Sequence, residues 1–127
     1  MFPGIDLVEV ERFARLCERQ PAVLTKLFTA AELAELEPRG WESKAARFAG
    51  KEAVLKALGT GICGLDWHDV EIRTNEAGEP LVRLSDRAAL VAARRGGDTV
   101  RLSLTHTQAL AGAMAILARQ SSGKGEE

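Results

Sequence analysis

The chain has 127 residues, 46% of them hydrophobic, with 17 Lys+Arg against 18 Asp+Glu for a net charge of -1. This is the size of one domain with a single core. The balanced charge argues against a dedicated nucleic-acid binder, and the apolar runs are too short for a membrane span.

Met1-Phe2-Pro3-Gly4 lacks the basic and long apolar stretches of a secretory leader. Cys17 and Cys63 have no metal-site spacing and read as free thiols in a reducing cytoplasm, Cys17 as a core residue. Gly4 to Val8 predicts a short first strand with an acid, Asp6, among apolar neighbours. From Glu9 to Arg19, Val10, Phe13, Ala14 and Cys17 fall on one helical stripe, and Pro21 ends that helix or starts the next piece. Thr29-Ala30-Ala31-Glu32 is a capping box, predicting a short helix from about Ala30 to Glu37. Ser43 to Leu58 is the clearest helix, rich in Ala, Lys and Glu, ended by Gly59-Thr60-Gly61. Asp69–Arg73 and Pro80–Leu84 form a hairpin across the Asn75–Gly78 turn. Ser85 to Arg94 is helical with Ser85 as its cap, Gly96-Gly97 breaks it, and Val100–Thr105 and Leu110–Leu117 close the chain as strands.

Strands and helices mix without a regular βαβ alternation, so the expected class is α+β, a single domain with an antiparallel sheet packed against a long helix. The domain covers residues 1–119; residues 120–127 are rich in Ser, Gly, Lys and Glu and are expected to be disordered.

The long helix carries the chemistry. At about 100° per residue, Ala45, Phe48, Ala49, Glu52, Leu55 and Lys56 share the face expected to dock on the core. Glu52 then needs a partner, either Lys56 one turn on, as on many solvated helices, or something beyond the helix. Asp6 is the second oddly placed acid; an exposed edge or a helix cap would also explain it. Lys44, Arg47 and Lys51 crowd a neighbouring side, either as a solvated basic flank or as an anion site for phosphates. The Gly59–Gly61 stretch is not a P-loop, because the Gly-x-x-x-x-Gly-Lys-Ser/Thr spacing is absent. Magnesium takes one or two carboxylates and completes its shell with water and phosphate oxygens. Asp6 with Glu52, flanked by Lys51 and Lys56, suits a magnesium–diphosphate complex. On the first helix, Arg12, Arg15 and Arg19 fall together opposite the apolar stripe, either as plain solvated surface or as a basic face for an acidic partner. Of the histidines, His68 reads as surface, and His106 at a strand end fits a hydrogen-bonded structural role.

Four blocks resemble the holo-acyl-carrier-protein synthases, in family order: Gly4-Ile5-Asp6-Leu7-Val8-Glu9-Val10-Glu11-Arg12-Phe13; Arg47-Phe48-Ala49-Gly50-Lys51-Glu52-Ala53-Val54-Leu55-Lys56-Ala57-Leu58-Gly59-Thr60-Gly61; Trp67 to Ile72 followed by Gly78-Glu79-Pro80; and Leu102-Ser103-Leu104-Thr105-His106-Thr107. Two positions depart from the family pattern: Gly50, where alanine is usual, and Thr105, where serine is. The resemblance implies magnesium-dependent transfer of 4′-phosphopantetheine from coenzyme A to a carrier serine, releasing adenosine 3′,5′-bisphosphate. It implies Asp6 and Glu52 as metal ligands and Lys56 as a phosphate contact. Arg47, Lys51 and His106 would lie around the nucleotide, with Gly59, Thr60 and Pro80 as further pocket residues. The serine proton would pass to Glu52 or to a metal-held water that Glu52 orients. The resemblance further implies a cytoplasmic enzyme of fatty acid biosynthesis that docks an acidic acyl carrier protein on Arg12, Arg15 and Arg19. It would act as a homotrimer, with His106 and Pro80 serving the neighbouring subunit's site. Two rivals predict different behaviour. A silent nucleotide- or carrier-binding module has no use for both acids. A transferase dedicated to polyketide or peptide synthases commonly has two such halves in one chain.

Overall fold

The computed structural model describes residues 1–59 and 64–120. Thr60, Gly61, Cys63 and the tail from Ser121 lie outside the described residues. In chain order the elements are β1 (Phe2–Glu9), α1 (Val10–Arg19), α2 (Ala22–Leu27), α3 (Ala30–Leu36) and α4 (Trp41–Leu58). A 3-10 turn (Trp67–Asp69) leads to β2 (Val70–Thr74), β3 (Pro80–Leu84), α5 (Asp86–Arg94), β4 (Thr99–His106) and β5 (Leu110–Ala118).

The Thr29–Glu32 capping box forms, and Ser85 caps α5 by accepting from the Ala88 N–H. Of the two roles open to Pro21, the structure has the helix start: its φ of -57 suits one, and α2 begins right after it. β1 is longer than expected because β5 pairs with it along its whole length, from Phe2↔Leu117 to Glu9↔Leu110. Gln120, assigned to the tail from sequence, donates its N–H to Asp98 at 2.8 Å and so belongs to the folded part.

The sheet is antiparallel, as expected, but divided. One sheet has the order β1-β5-β4, and the β2-β3 hairpin forms a separate pair. The register sets the faces, since paired residues share a side. Asp6 aligns with Ala113 and, across β5, with Leu104; Val8 aligns with Ala111 and His106. This side holds Gly4, Ala111, Ala113 and Ala115, all buried, and receives α4. A Cβ on Gly4 would run into the Ala53 carbonyl and lie 2.7 Å from Ala57 N, so strand and helix backbones touch where only glycine fits. The opposite side is open, with Ile5 68%, Leu7 68% and Met114 49% exposed.

The burial of α4 differs from the expected single apolar face. Sheet, hairpin and α1 surround the helix, and from Ala45 onward only Phe48, Glu52 and Lys56, at four-residue spacing, escape full burial. Glu52 therefore stands on the exposed strip, while Arg47 and Lys51, which the sequence offers either as a solvated flank or as an anion site, are interior. Gly50 has a packing correlate too: a Cβ there would lie 3.0 Å from the tips of both Ile72 and Leu104.

Candidate active site

The Gly4 contact brings β1 onto α4, and the pleat aims Asp6, two residues later, at the same helix. Its side chain is only 13% exposed. Lys56 Nζ donates to Asp6 Oδ1 at 3.2 Å and to the Ile5 carbonyl at 2.9 Å, so the lysine reaches the strand from one turn beyond Glu52. The other oxygen, Asp6 Oδ2, is buried without a donor among the described residues. Glu52 comes within hydrogen-bonding reach of Asp6. Two ionised carboxylates only accept, so this approach is repulsive until a proton or a cation sits between them. Burial first, then Asp6, pushes the Glu52 carboxyl up to about 7, against the opposing pull of Lys56. An apolar-walled acid pair with an orphaned acceptor has the chemistry of a hard-cation site that a diphosphate would complete.

Arg47 and Lys51 correct the sequence reading. Lys51 is 0% exposed, paired to Glu32 at 2.7 Å, and donates to the carbonyls of Val70 at 2.7 Å and Trp67 at 3.0 Å. An ammonium has three donors, and all three are committed inside the protein. Arg47 is 3% exposed and donates to the Ile72 carbonyl at 2.6 Å and to Glu35 at 3.3 Å. Burial holds both cations below their ordinary range, partly offset by these acids. Neither side chain faces solvent where a nucleotide could meet it. The sequence could not supply their partners: Glu32 and Glu35 come from α3. The one local hint is that the capping box occupies Glu32 with a single donor, the Thr29 N–H, which leaves acceptor capacity for distant donors.

On α1, Val10, Phe13, Ala14 and Cys17 are buried and Arg12, Arg15 and Arg19 are exposed, as the periodicity predicts. Arg12 and Arg15 make loose pairs with Glu9 at 3.6 Å and Glu11 at 4.0 Å. Between α1, the end of β1 and α4 lies a groove of about 500 Å³ whose lining includes Arg12, Phe13, Leu16, Arg19 and Phe48. Phe13 and Phe48 stack at 5.0 Å, and Phe48 stands one turn before Glu52. The groove is thus lined by the arginine face and by Phe48, but by neither Asp6 nor Glu52.

Residues 3–111 match the profile of the 4′-phosphopantetheinyl transferase superfamily. The chain belongs to that superfamily. A holo-[acyl-carrier-protein] synthase of Desulforudis audaxviator is 49% identical over 126 residues, covering 95% of this chain and 96% of the relative. Among solved structures, the holo-[acyl-carrier-protein] synthase of Neisseria meningitidis superposes with a TM-score of 0.84 at 28% identity, over 93% of this chain and 98% of that one. The Helicobacter pylori synthase, solved in complex with coenzyme A, gives 0.82 at 26% identity, over 91% and 99%.

In this phosphopantetheinyl transferase fold, the remaining candidate residues fall apart from the acid pair within one chain. His106 shares the sheet face of Asp6 but sits on the opposite edge strand, about 12 Å away between Cα atoms for two strand spacings and two residues. It is exposed, as is His68, which lies within 2.9 Å of the Thr25 carbonyl. Pro80 opens β3 and lines a groove between the hairpin and β4 of about 880 Å³ that includes neither Asp6 nor Glu52. Gly59 ends α4 at φ 78, and the Arg95 guanidinium packs against it while stacking on Phe2 at 3.9 Å.

Proposed function

We propose that this chain is a holo-[acyl-carrier-protein] synthase activity in a short, single-domain form: it moves 4′-phosphopantetheine from coenzyme A to a serine of an apo-acyl carrier protein. The serine oxygen bonds to the β-phosphorus, the bond to adenosine 3′,5′-bisphosphate breaks, and the serine proton is released. The observation that carries the reading is the Asp6–Glu52 pair, with its buried oxygen that has no donor among the described residues. Magnesium fits that donor set, with Asp6 and Glu52 to hold it, and would supply charge neutralisation at the diphosphate. Lys56 steadies Asp6, and its side chain, 56% exposed, stands at the mouth of the site, where it would meet phosphate oxygens and the departing bisphosphate. Glu52, beside the reacting groups, would accept the serine proton or orient a water that does. No protein nucleophile is needed, because positioning and charge account for most of phosphoryl-transfer catalysis.

The groove below Arg12 and Arg19 would receive an acidic carrier, with the arginines speeding encounter and the Phe13–Phe48 wall accepting an apolar side chain. The open apolar sheet face would be covered by further copies in a homotrimer. There His106 and the Pro80 groove, remote from the acid pair of their own chain, would complete a neighbour's nucleotide pocket. No described helix is long and apolar enough to cross a membrane, and the reduced, buried Cys17 suits a cytoplasmic setting. The test is mass spectrometry of an apo-carrier incubated with the chain, coenzyme A and magnesium. The carrier should gain one phosphopantetheine, chelation should abolish the gain and magnesium should restore it. Binding without any mass gain would favour the silent module instead.

A further inference from the structure

Glu32 is fully buried, and the transfer chemistry makes no use of it. Its Oε1 accepts from the Thr29 N–H at 2.8 Å and faces Lys51 Nζ at 2.7 Å, while Oε2 accepts from the Ile72 N–H at 2.7 Å. One carboxylate therefore ties the start of α3, the middle of α4 and strand β2 together. Lys51 extends the tie to Trp67 and Val70, and one turn earlier Arg47 repeats the arrangement with Glu35 and Ile72.

The opposite flank of α4 explains why such a tie matters. There the helix meets β1 and β5 through Gly4, Ala53, Ala57, Ala113 and Ala115, which permit close approach but offer little interdigitation against rotation. Lys51 and Glu52 are consecutive, so their directions are locked about 100° apart. A roll of α4 by about 20° would carry a side-chain tip on a 5–6 Å radius by about 2 Å. Displacement on that scale is enough to spoil a reacting geometry. From these contacts we infer that Glu32 is a positioning residue: through Lys51 it fixes the roll of α4 that turns Glu52 toward Asp6. The same geometry makes Lys51 a strut rather than a phosphate contact. The inference rests on the transferase reading of Asp6 and Glu52.

Three variants test it: Glu32→Gln, Lys51→Met and the two combined. Each is assayed for kcat, for the KM of coenzyme A and of the carrier, and for thermal unfolding. A strut predicts that Lys51→Met lowers kcat by about ten- to hundredfold while the coenzyme A KM stays within about twofold. The double variant, which leaves no unpaired buried charge, should then be more active than Lys51→Met alone. A coenzyme A KM raised tenfold or more at unchanged kcat would overturn the inference, and so would single-variant losses that simply multiply in the double. If Glu32→Gln fails to fold, the comparison of Lys51→Met with the double still decides. An inactive wild type would instead bring down the transferase reading itself, and the inference with it.

Discussion

Replacing Glu52 with glutamine should stabilise the metal-free protein while abolishing transfer. In the fold the Glu52 carboxyl is raised from 4.5 to about 7, by burial and then by Asp6. A carboxyl that holds its proton more tightly when folded destabilises the fold as pH rises: the penalty begins above 4.5 and is complete above about 7. Glutamine stays neutral, so it removes the penalty at pH 8 and changes little at pH 4.5. A shift from 4.5 to about 7 corresponds at most to about 3.4 kcal/mol at about 1.36 kcal/mol per unit. Glu52 is only half-buried, and solvent screening reduces the expected gain to about 1–2 kcal/mol. Urea unfolding in chelator, at fixed protomer concentration, should show the variant ahead by that margin at pH 8, with the two proteins converging near pH 4.5. A variant less stable than wild type at pH 8, or a difference that ignores pH, would refute the repulsive pair.

Other consequences can be measured directly. A proton and a divalent cation compete for the Asp6–Glu52 pair, so the magnesium concentration for half-activation should rise as pH falls below about 7; a value flat from pH 6 to 8 would contradict this. Arg12→Glu with Arg15→Glu should raise the carrier's KM well above any change for coenzyme A, whereas equal effects would argue against docking on α1. If the proposed trimer forms through the open sheet face, Leu7→Glu with Met114→Lys should leave a monomer in sedimentation and lower transfer. An intact assembly with both charges in place would show that another surface holds the copies together.

The element order was legible because its signals are local: the Thr29–Glu32 box, the Asn75–Gly78 turn, the Ser85 cap and the stripe of α1. Asp6 and Glu52 also stood out, as acids among apolar neighbours. The surroundings of α4 were misread for a definable reason. A helical wheel assumes one buried face, but α4 is enclosed by the sheet, the hairpin and α1, so the charged residues Arg47 and Lys51 fall inside. Their burial depends on Glu32 and Glu35, 19 and 12 positions upstream, and nothing in the spacing of one helix reveals an ion pair with another. Lys56, which the i,i+4 spacing offers as one partner for Glu52, reaches across to Asp6 because β1 passes close enough to be touched.

That closeness comes from the near-bare contact of Gly4 with Ala53 and Ala57. Main chain rests on main chain there, with no long side chain to flex in between, so the backbone itself sets the spacing of strand and helix, while the roll of α4 is left to its other flank. Redesign of the enzyme for other clients therefore has little freedom at this seam. The helix-one arginines, which touch none of it, are the place to vary carrier docking while this seam is left unchanged.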